Sequence, residues 1–237
     1  MGRFKRQGNR RCIRTAADSE FALFSFAGRK RRIGARAEDT LKTDGRAMYV
    51  FLDCETSGLP RRWSAPASDI ANWPRLVQMA WLCCDPDCQI TASCEYLIKP
   101  QGFTISRRAT ELHGITTDRA LAEGVELGPV LIELSEALRS AQTVVGHNLD
   151  FDSRVIQAEW IRAGMKDAFA RKRKCCTMKV STDYCRIPGP YGYKWPKLDE
   201  LHHKLLGRGF DGAHGALADT EACMRCFFRL RELGIVD

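Results

Sequence analysis

The sequence Tyr49-Val-Phe-Leu-Asp-Cys-Glu-Thr-Ser-Gly58 predicts an apolar strand that runs into two carboxylates and ends at a turn. Because side chains alternate faces along a strand, Asp53 and Glu55 project on the same side and Cys54 on the other. Two acidic side chains on one face repel each other unless a cation lies between them. Mg²⁺ and Mn²⁺ prefer oxygen ligands, so this strand end is a candidate metal site. The alternative is a strand that enters a solvated loop.

The basic residues of the chain are unevenly distributed. The 237 residues, 44% of them hydrophobic, are enough for one domain with a core. The net charge of +8 lies in residues 1–47, which contain 13 basic and 5 acidic residues, whereas residues 48–237 contain 24 of each. We therefore predict a basic, disordered N-terminal arm at 1–47 and a globular domain at 48–237.

The N-terminal arm and the cysteines give evidence on the cellular location of the protein. The scarcity of acids near the start is also typical of an organellar presequence, and Met48 is a candidate alternative start. No apolar run reaches the roughly 18 residues of a membrane span, so we expect a cytoplasmic protein that does not bind membranes. The 11 cysteines lie in apolar runs without a secretory signal, which favours reduced thiols. Cys223 and Cys226 have zinc-ligand spacing, but they lie mid-helix without a second pair, which disfavours structural zinc.

The pattern after the first strand predicts alternating strands and helices. Two β-rich segments, 76–84 and 89–98, are joined by the turn Asp85-Pro-Asp87 and predict a hairpin beside the first strand. Helical spacing then predicts a helical turn and a second helix capped by Thr116 or Thr117 within 107–121, and further helices at 127–138, 150–163, 198–206 and 216–233. Short strands are predicted at 143–146 and 175–178. This order indicates a layered α/β fold.

Two further acidic elements follow. Gly146-His-Asn-Leu-Asp-Phe-Asp152 lies where a strand gives way to a helix, a position at which α/β sheets gather ligands. His214 in a loop precedes the helical Asp219 by five positions, so both can lie above the same site. Each residue also has a purely structural explanation: Asp152 as a first-turn carboxylate, His147 as a hydrogen-bonded strand-end histidine and Asp219 as an exposed helix residue.

Together and in this order, these elements resemble the DEDDh 3′→5′ exonucleases, a family that includes the proofreading epsilon subunit of bacterial DNA polymerase III. The matching segments, within residues 48–232, are Asp53-Cys-Glu-Thr-Ser-Gly58, His113-Gly-Ile-Thr116, His147-Asn-Leu-Asp-Phe-Asp152 and His214-Gly-Ala-Leu-Ala-Asp219. The resemblance implies that 48–237 is an exonuclease domain with a ribonuclease H-like three-layer α/β fold, in which helices flank a central mixed five-stranded sheet. Ser57 departs from the pattern, which often has a second threonine there, and the basic arm is not part of it.

The resemblance also implies an active site with two metal ions. The implied ligands of two Mg²⁺ or Mn²⁺ ions, about 4 Å apart, are Asp53, Glu55, Asp152 and Asp219. One ion would activate a water, the other would stabilise the leaving 3′-oxyanion, and His214 would be the general base. The implied substrate contacts are Thr56, Ser57, His113, Asn148 and Phe151.

The implied activity is removal of nucleoside 5′-monophosphates from the 3′ end of single-stranded DNA. An enzyme that trims RNA ends is the alternative within the same class. A nucleic-acid-binding module on an inactive scaffold is a third hypothesis, which competent residues at all five catalytic positions disfavour. A polymerase partner is possible for this family, but no long C-terminal extension follows Asp237 to support it.

Basic and aromatic residues near the C-terminal half are candidates for the path of the single strand. They are the basic tetrad at 171–174 and the aromatic residues Tyr191, Tyr193 and Trp195. Aromatic rings stack with any base, so such a surface needs no particular nucleotide sequence. A solvated loop is the simpler explanation of the basic tetrad.

Overall fold

The computed structural model describes residues 10–13 and 49–237. Its strands are β1 Arg10–Ile13, β2 Tyr49–Thr56, β3 Leu76–Cys84, β4 Ile90–Leu97, β5 Thr143–Gly146, β6 Arg173–Cys176, β7 Pro188–Gly189 and β8 Gly192–Tyr193. The first six form one sheet in the order β1-β4-β3-β2-β5-β6, and β7 pairs with β8. β2 pairs antiparallel with β3 and parallel with β5, so the main sheet is mixed.

Helices cover both faces of this sheet. They are α1 Arg107–His113, α2 Thr117–Glu123, α3 Leu127–Ser140, α4 Leu149–Arg162, α5 Thr177–Val180, α6 Thr182–Cys185, α7 Leu198–Leu206 and α8 Ala216–Glu232. Val50 and Leu52 of β2 pack in one core cluster with residues of α3 and α4. Phe51, on the opposite face of the same strand, packs with Phe227 of α8. The alternation of β2 thus builds the predicted ribonuclease H-like three-layer fold.

The predicted five-stranded sheet is present as β4-β3-β2-β5-β6. A sixth strand, β1, extends it by pairing antiparallel with β4. β1 belongs to the segment 1–47 that we predicted to be a disordered arm, and residues 10–13 are the part of that segment that the structure describes. Residues 1–9 and 14–48 lie outside the described residues, and the prediction is untested there.

The strand predicted at 175–178 begins and ends earlier in the structure. It runs as β6 from Arg173 to Cys176, where Cys176 is in register with the last residue of β5. Thr177 then begins α5, and its hydroxyl donates to the carbonyl of Gly146 at 3.3 Å. β6 is the last strand of the sheet order, and an edge strand tolerates charged side chains, which is why basic residues belong to the strand rather than to the preceding loop.

The segment 107–121 contains the two predicted helical pieces. Ser106 caps α1 and Thr116 caps α2, each by accepting a hydrogen bond from a backbone amide of the first turn. Gly114, with φ at +71°, ends α1 in the left-handed conformation that glycine adopts readily. No helix among the described residues has the length and apolarity needed to cross a membrane.

Candidate active site

Three carboxylates meet at the end of β2. Single ligand oxygens of Asp53, Glu55 and Asp219 all lie within 4.8 Å of one another. β2 presents Asp53 and Glu55 on the face that α8 covers, and Asp219 lies in the first turn of α8. Alternation along the strand therefore places Asp53 and Glu55 on one face, as the sequence predicted, and α8 adds Asp219.

Asp152, the fourth predicted ligand, approaches from the other face. It lies in the first turn of α4, is 3% exposed, and is outside the group of three. Its Oδ1 accepts hydrogen bonds from the backbone nitrogen of Cys54 at 3.2 Å and from the Cys54 thiol at 3.1 Å. Its charge nonetheless raises the pKa of both Asp53 and Glu55, so all four carboxylates act on one another.

Burial and mutual repulsion make these carboxyl groups weak acids. Burial, followed by the neighbouring carboxylates, raises the pKa of Glu55 to about 8 and that of Asp53 well above its usual value. Burial also raises the pKa of Asp152 to about 7 and that of Asp219 to about 6. A buried oxygen of Asp219, Oδ1, has no hydrogen-bond partner. A divalent cation would satisfy this oxygen and offset the repulsion, so the residues present fit one.

The loop before α8 places His214 beside these acids. Its backbone hydrogen-bonds to the Asp219 carboxyl group, and its charge lowers the pKa of that group. His214 is exposed and has φ at +66°, an uncommon conformation for a residue with a side chain. Gly212, at φ +76°, makes the preceding turn, where an added Cβ would lie 3.2 Å from the Cβ of Ala218. The structure thus brings His214 and Asp219 together, as predicted.

His113 lies below the turn that follows β2. Its Nε2 is 3.2 Å from the carbonyl oxygen of Thr56, and its Nδ1 accepts from the backbone nitrogen of Ile115 at 3.1 Å. The proton of the neutral ring is therefore on Nε2, and burial lowers the pKa of the ring. Both nitrogens contact the backbone, so His113 orients the turn rather than offering a free ring nitrogen to a substrate.

Thr56 and Ser57 are both engaged in the turn. The Thr56 hydroxyl donates to the carbonyl oxygen of Gly58 at 2.7 Å. The Ser57 hydroxyl oxygen accepts from the backbone nitrogen of Arg75 at 3.0 Å, which leaves its own proton available to a ligand. Asn148 has φ at +65° ahead of α4, and its side chain makes no capping hydrogen bond.

Three contacts around the site were not anticipated from the sequence. Trp63, 58% exposed, lies with its ring centroid 5.6 Å from that of the half-buried Phe151. Gln78 pairs with Glu55 across β2 and β3, and its Oε1 accepts from the first amide of α8, that of Ala216, at 3.1 Å. Cys54 orients Asp152, as described above. The sequence signal for Trp63 is a tryptophan that follows shortly after the acidic strand. Gln78 and Cys54 have no comparable signal.

The basic tetrad is largely occupied by structural contacts. Lys172 Nζ donates to the carbonyl oxygens of Arg139 at 3.1 Å and Ala141 at 2.8 Å, at the end of α3. Arg173 pairs with Asp237 at 3.0 Å, and Lys174 lies over the ring of Phe169. These contacts hold β6 to its neighbours. They favour a structural explanation of the tetrad over a path for the single strand.

Residues 50–227 match the family model RNase_T, which describes an exonuclease. The chain belongs to this exonuclease family. The family-level part of the predicted resemblance is therefore confirmed, whereas the particular likeness to the epsilon subunit stays a prediction. None of the curated proteins compared with this exonuclease matches it.

Solved structures with the same fold include two of E. coli Exonuclease I. The complex with a dA16 oligonucleotide is 20% identical, has a TM-score of 0.62 and matches 78% of this exonuclease and 40% of that chain. The zinc-ion-bound complex with single-stranded DNA is 22% identical, has a TM-score of 0.61 and matches 79% and 41%. The chain thus spans about two fifths of the length of those chains, and the likeness shows the fold.

Proposed function

We propose that this exonuclease removes nucleotides from the 3′ end of single-stranded DNA and releases nucleoside 5′-monophosphates. The observation that carries the proposal is the group of Asp53, Glu55 and Asp219 within 4.8 Å, beside Asp152 and His214. The structures of E. coli Exonuclease I named above are complexes with DNA oligonucleotides, which supports DNA as the substrate to test first.

Asp53, Glu55, Asp152 and Asp219 would hold two Mg²⁺ or Mn²⁺ ions. Four carboxylates offset most of the charge of two divalent cations and supply the oxygen ligands that these ions prefer. When bound, the cations supply Lewis-acid activation of water and stabilise negative charge on the phosphate. The raised pKa values of the acids mean that cations and protons compete for the same oxygens.

His214 accepts the proton of the attacking water. It lies beside Asp219 on an exposed loop, and an imidazole nitrogen can accept a proton from water, so the ring can act as a base. The water oxygen forms a bond to phosphorus as its proton moves to His214. The bond between phosphorus and the 3′ oxygen of the preceding nucleotide breaks, and the phosphate stays on the released nucleotide.

Residues of the β2 turn and of α4 receive the terminal nucleotide. Ser57 donates the hydroxyl proton that the turn leaves free, and Asn148 presents its side chain at the start of α4. Phe151, against Trp63, forms an aromatic wall for the base. Thr56 and His113 shape the turn through their mutual contact.

The proposal is tested with single-stranded DNA and RNA of one sequence, each labelled at the 5′ end. We expect a ladder that shortens from the 3′ end of the DNA with Mg²⁺ or Mn²⁺, no reaction in EDTA, and 5′-monophosphates as products. Faster degradation of RNA would replace the substrate assignment by the RNA-trimming alternative. Binding without degradation of either strand would make the chain a binding module, and release of the label as a mononucleotide would reverse the direction.

A further inference from the structure

An exposed aromatic hairpin follows α6. β7 and β8 pair antiparallel, and Pro190 and Tyr191 form its tip. Three large rings project from five consecutive residues: Tyr191 is fully exposed, Tyr193 is 51% exposed and Trp195 is 60% exposed. A concentration of exposed aromatic surface of this kind is typical of a binding surface.

The base of this aromatic hairpin is held firmly. The backbone nitrogen of Lys194 donates to the carbonyl oxygen of Ile187 at 2.9 Å. The Lys194 ammonium group also pairs with Glu200 at 2.6 Å, and the Glu200 side chain accepts from the backbone nitrogen of Lys197 at 2.8 Å. Binding surfaces work best when their supporting contacts hold the rings in place before the ligand arrives.

The same base is attached to the edge of the active site. The ring of His147 lies with Nε2 at 3.0 Å from the carbonyl oxygen of Pro196 and with Nδ1 at 3.0 Å from the Thr177 hydroxyl. His147 directly precedes Asn148, which we place in the nucleotide pocket. A strand leaving the pocket on this side therefore meets the aromatic hairpin.

The charges around the aromatic hairpin suit a polyanion. Residues 186–197 include the basic residues Arg186, Lys194 and Lys197 and no acidic residue. Arg186 and Lys197 are exposed, whereas Lys194 is paired with Glu200, so the first two are the cations available to a ligand. Exposed rings beside cations are the combination with which proteins hold single-stranded nucleic acid without sequence preference.

We propose that Tyr191, Tyr193 and Trp195 form a stacking platform for bases on the 5′ side of the scissile phosphodiester. This deepens and rests on the proposed function, because it extends the path of the same strand beyond the terminal nucleotide. The platform does not include the basic tetrad, in which the side chains of Lys172 and Arg173 are bound to other parts of the protein. Because the platform acts by stacking, it increases the affinity for long strands and does not change the rate of the chemical step.

The test compares a long and a short substrate. The variant Tyr191→Ala/Tyr193→Ala/Trp195→Ala of the full chain is assayed on the 20-nucleotide dT₂₀ and on the dinucleotide dTdT, which is too short to leave the pocket. We expect KM for dT₂₀ to rise roughly 5- to 100-fold, with kcat and the turnover of dTdT retained, because base stacking contributes to binding on that scale. Phenylalanine at the same three positions keeps the rings and should retain the low KM.

Ile132→Ala is the control for loss of an exposed apolar side chain, since Ile132 is 54% exposed on α3. It should leave both substrates unaffected. A triple alanine variant with the wild-type KM for dT₂₀ would overturn the platform. So would an equal loss on dT₂₀ and dTdT, because the aromatic hairpin would then support the fold of the site rather than bind the strand.

Binding separates the platform from the proposed function. Fluorescence anisotropy of labelled dT₂₀ in EDTA reports affinity even if the protein hydrolyses nothing. Weaker binding by the alanine variant than by the wild type supports the platform whatever the activity, and equal binding overturns it. The affinity ratio should stay constant across a salt series. Convergence of the two proteins at high salt would show that charge rather than stacking acts here.

Discussion

Cys54 donates twice to one oxygen of Asp152, from its backbone nitrogen at 3.2 Å and from its thiol at 3.1 Å. Alternation along β2 places Asp53 and Glu55 on one face and Cys54 on the opposite face. α4 covers the face on which Cys54 lies. The residue between the two acids of the strand therefore orients the carboxylate that comes from the other layer. These two hydrogen bonds also lower the pKa of Asp152 against the opposing effect of burial.

Cys54→Ala removes the thiol donor and leaves the backbone donor. We expect kcat/KM to fall roughly 2- to 12-fold, since a typical hydrogen bond contributes about 0.5 to 1.5 kcal/mol and a thiol is a weak donor. The Mg²⁺ concentration for half-maximal activity should rise. Cys54→Ser keeps a donor of similar position and is the matched control. A Mg²⁺ titration of activity measures the effect. Equal behaviour of the two variants would show that the thiol does not orient Asp152.

The raised pKa values predict how metal-free stability depends on pH. Glu55, Asp152 and Asp219 have pKa values of about 8, 7 and 6 in the folded protein, above those of an unfolded chain. The folded protein therefore holds protons that the unfolded chain has released, and stability falls as pH rises through this window. Each such proton changes the free energy of unfolding by about 1.4 kcal/mol per pH unit. Mg²⁺ binds the ionised acids and restores stability.

Melting temperatures from pH 6.5 to 8.5, in EDTA and in Mg²⁺, test this dependence. Burial lowers the pKa of His147 and His113, so their contribution to the pH dependence has the opposite sign and is greatest at the acidic end of this range. The stabilisation by Mg²⁺ should grow with pH. A Mg²⁺-induced shift in melting temperature that is the same at every pH would contradict the protonated state of the acids.

Asp53 is the most central of the four acids, because its pKa is raised by burial and by all three of the others. Asp53→Ala should abolish nuclease activity while the protein still melts cooperatively. In EDTA its melting temperature should exceed that of the wild type, since one of the repelling carboxylates is gone. Degradation of DNA at a near wild-type rate by this variant would remove Asp53 from the mechanism.

His214→Ala tests the base. General-base catalysis acts on the transition state, so kcat should fall roughly 10²- to 10⁴-fold with little change in substrate affinity. The Mg²⁺ concentration for half-maximal activity should stay unchanged, because His214 is not one of the proposed metal ligands. Ile132→Ala, at an exposed position of α3, controls for nonspecific effects. A wild-type kcat in the His214 variant would show that another group accepts the proton.

The parts of this site that the sequence predicts are those that local pattern determines. A period of two along β2 is enough to place Asp53 and Glu55 on one face, and the strand-to-helix transition before Asp152 places it at the same sheet edge. The contact of Gln78 with Ala216 joins residues 138 positions apart, and that of Cys54 with Asp152 joins residues 98 apart. No periodic pattern in the sequence predicts either contact. Both depend on how the helices pack against the sheet.

The aromatic hairpin and the basic tetrad also could not be told apart from the sequence. Both are plausible strand paths by composition, and composition cannot separate them. The contacts do: the side chains of Lys172 and Arg173 are bound to the protein, whereas the ring of Tyr191 is fully exposed. Whether a charge or a ring is available to a ligand depends on neighbours that lie far away in the sequence.

The N-terminal arm provides the last prediction, because the whole net charge of +8 lies in residues 1–47. Contacts between basic side chains and phosphates release counterions, so the arm should steepen the salt dependence of binding to single strands, by about 0.7 in log–log slope per contact. Removal of residues 1–47 should weaken binding at low salt, converge with the full chain at high salt, and leave kcat and cleavage direction unchanged.

Truncation also removes β1, which pairs with β4, so a charge variant of the full chain is the cleaner comparison. Glutamine at Arg29, Lys30, Arg31 and Arg32 removes four charges from the arm and leaves residues 10–13 in place. Exchanging lysine and arginine at the same four positions keeps the charge and is the matched control. Affinity for dT₂₀ across a salt series should show a shallower slope for the glutamine variant alone. Parallel slopes for all proteins would show that the arm does not contact nucleic acid, and would favour a targeting segment or a start at Met48.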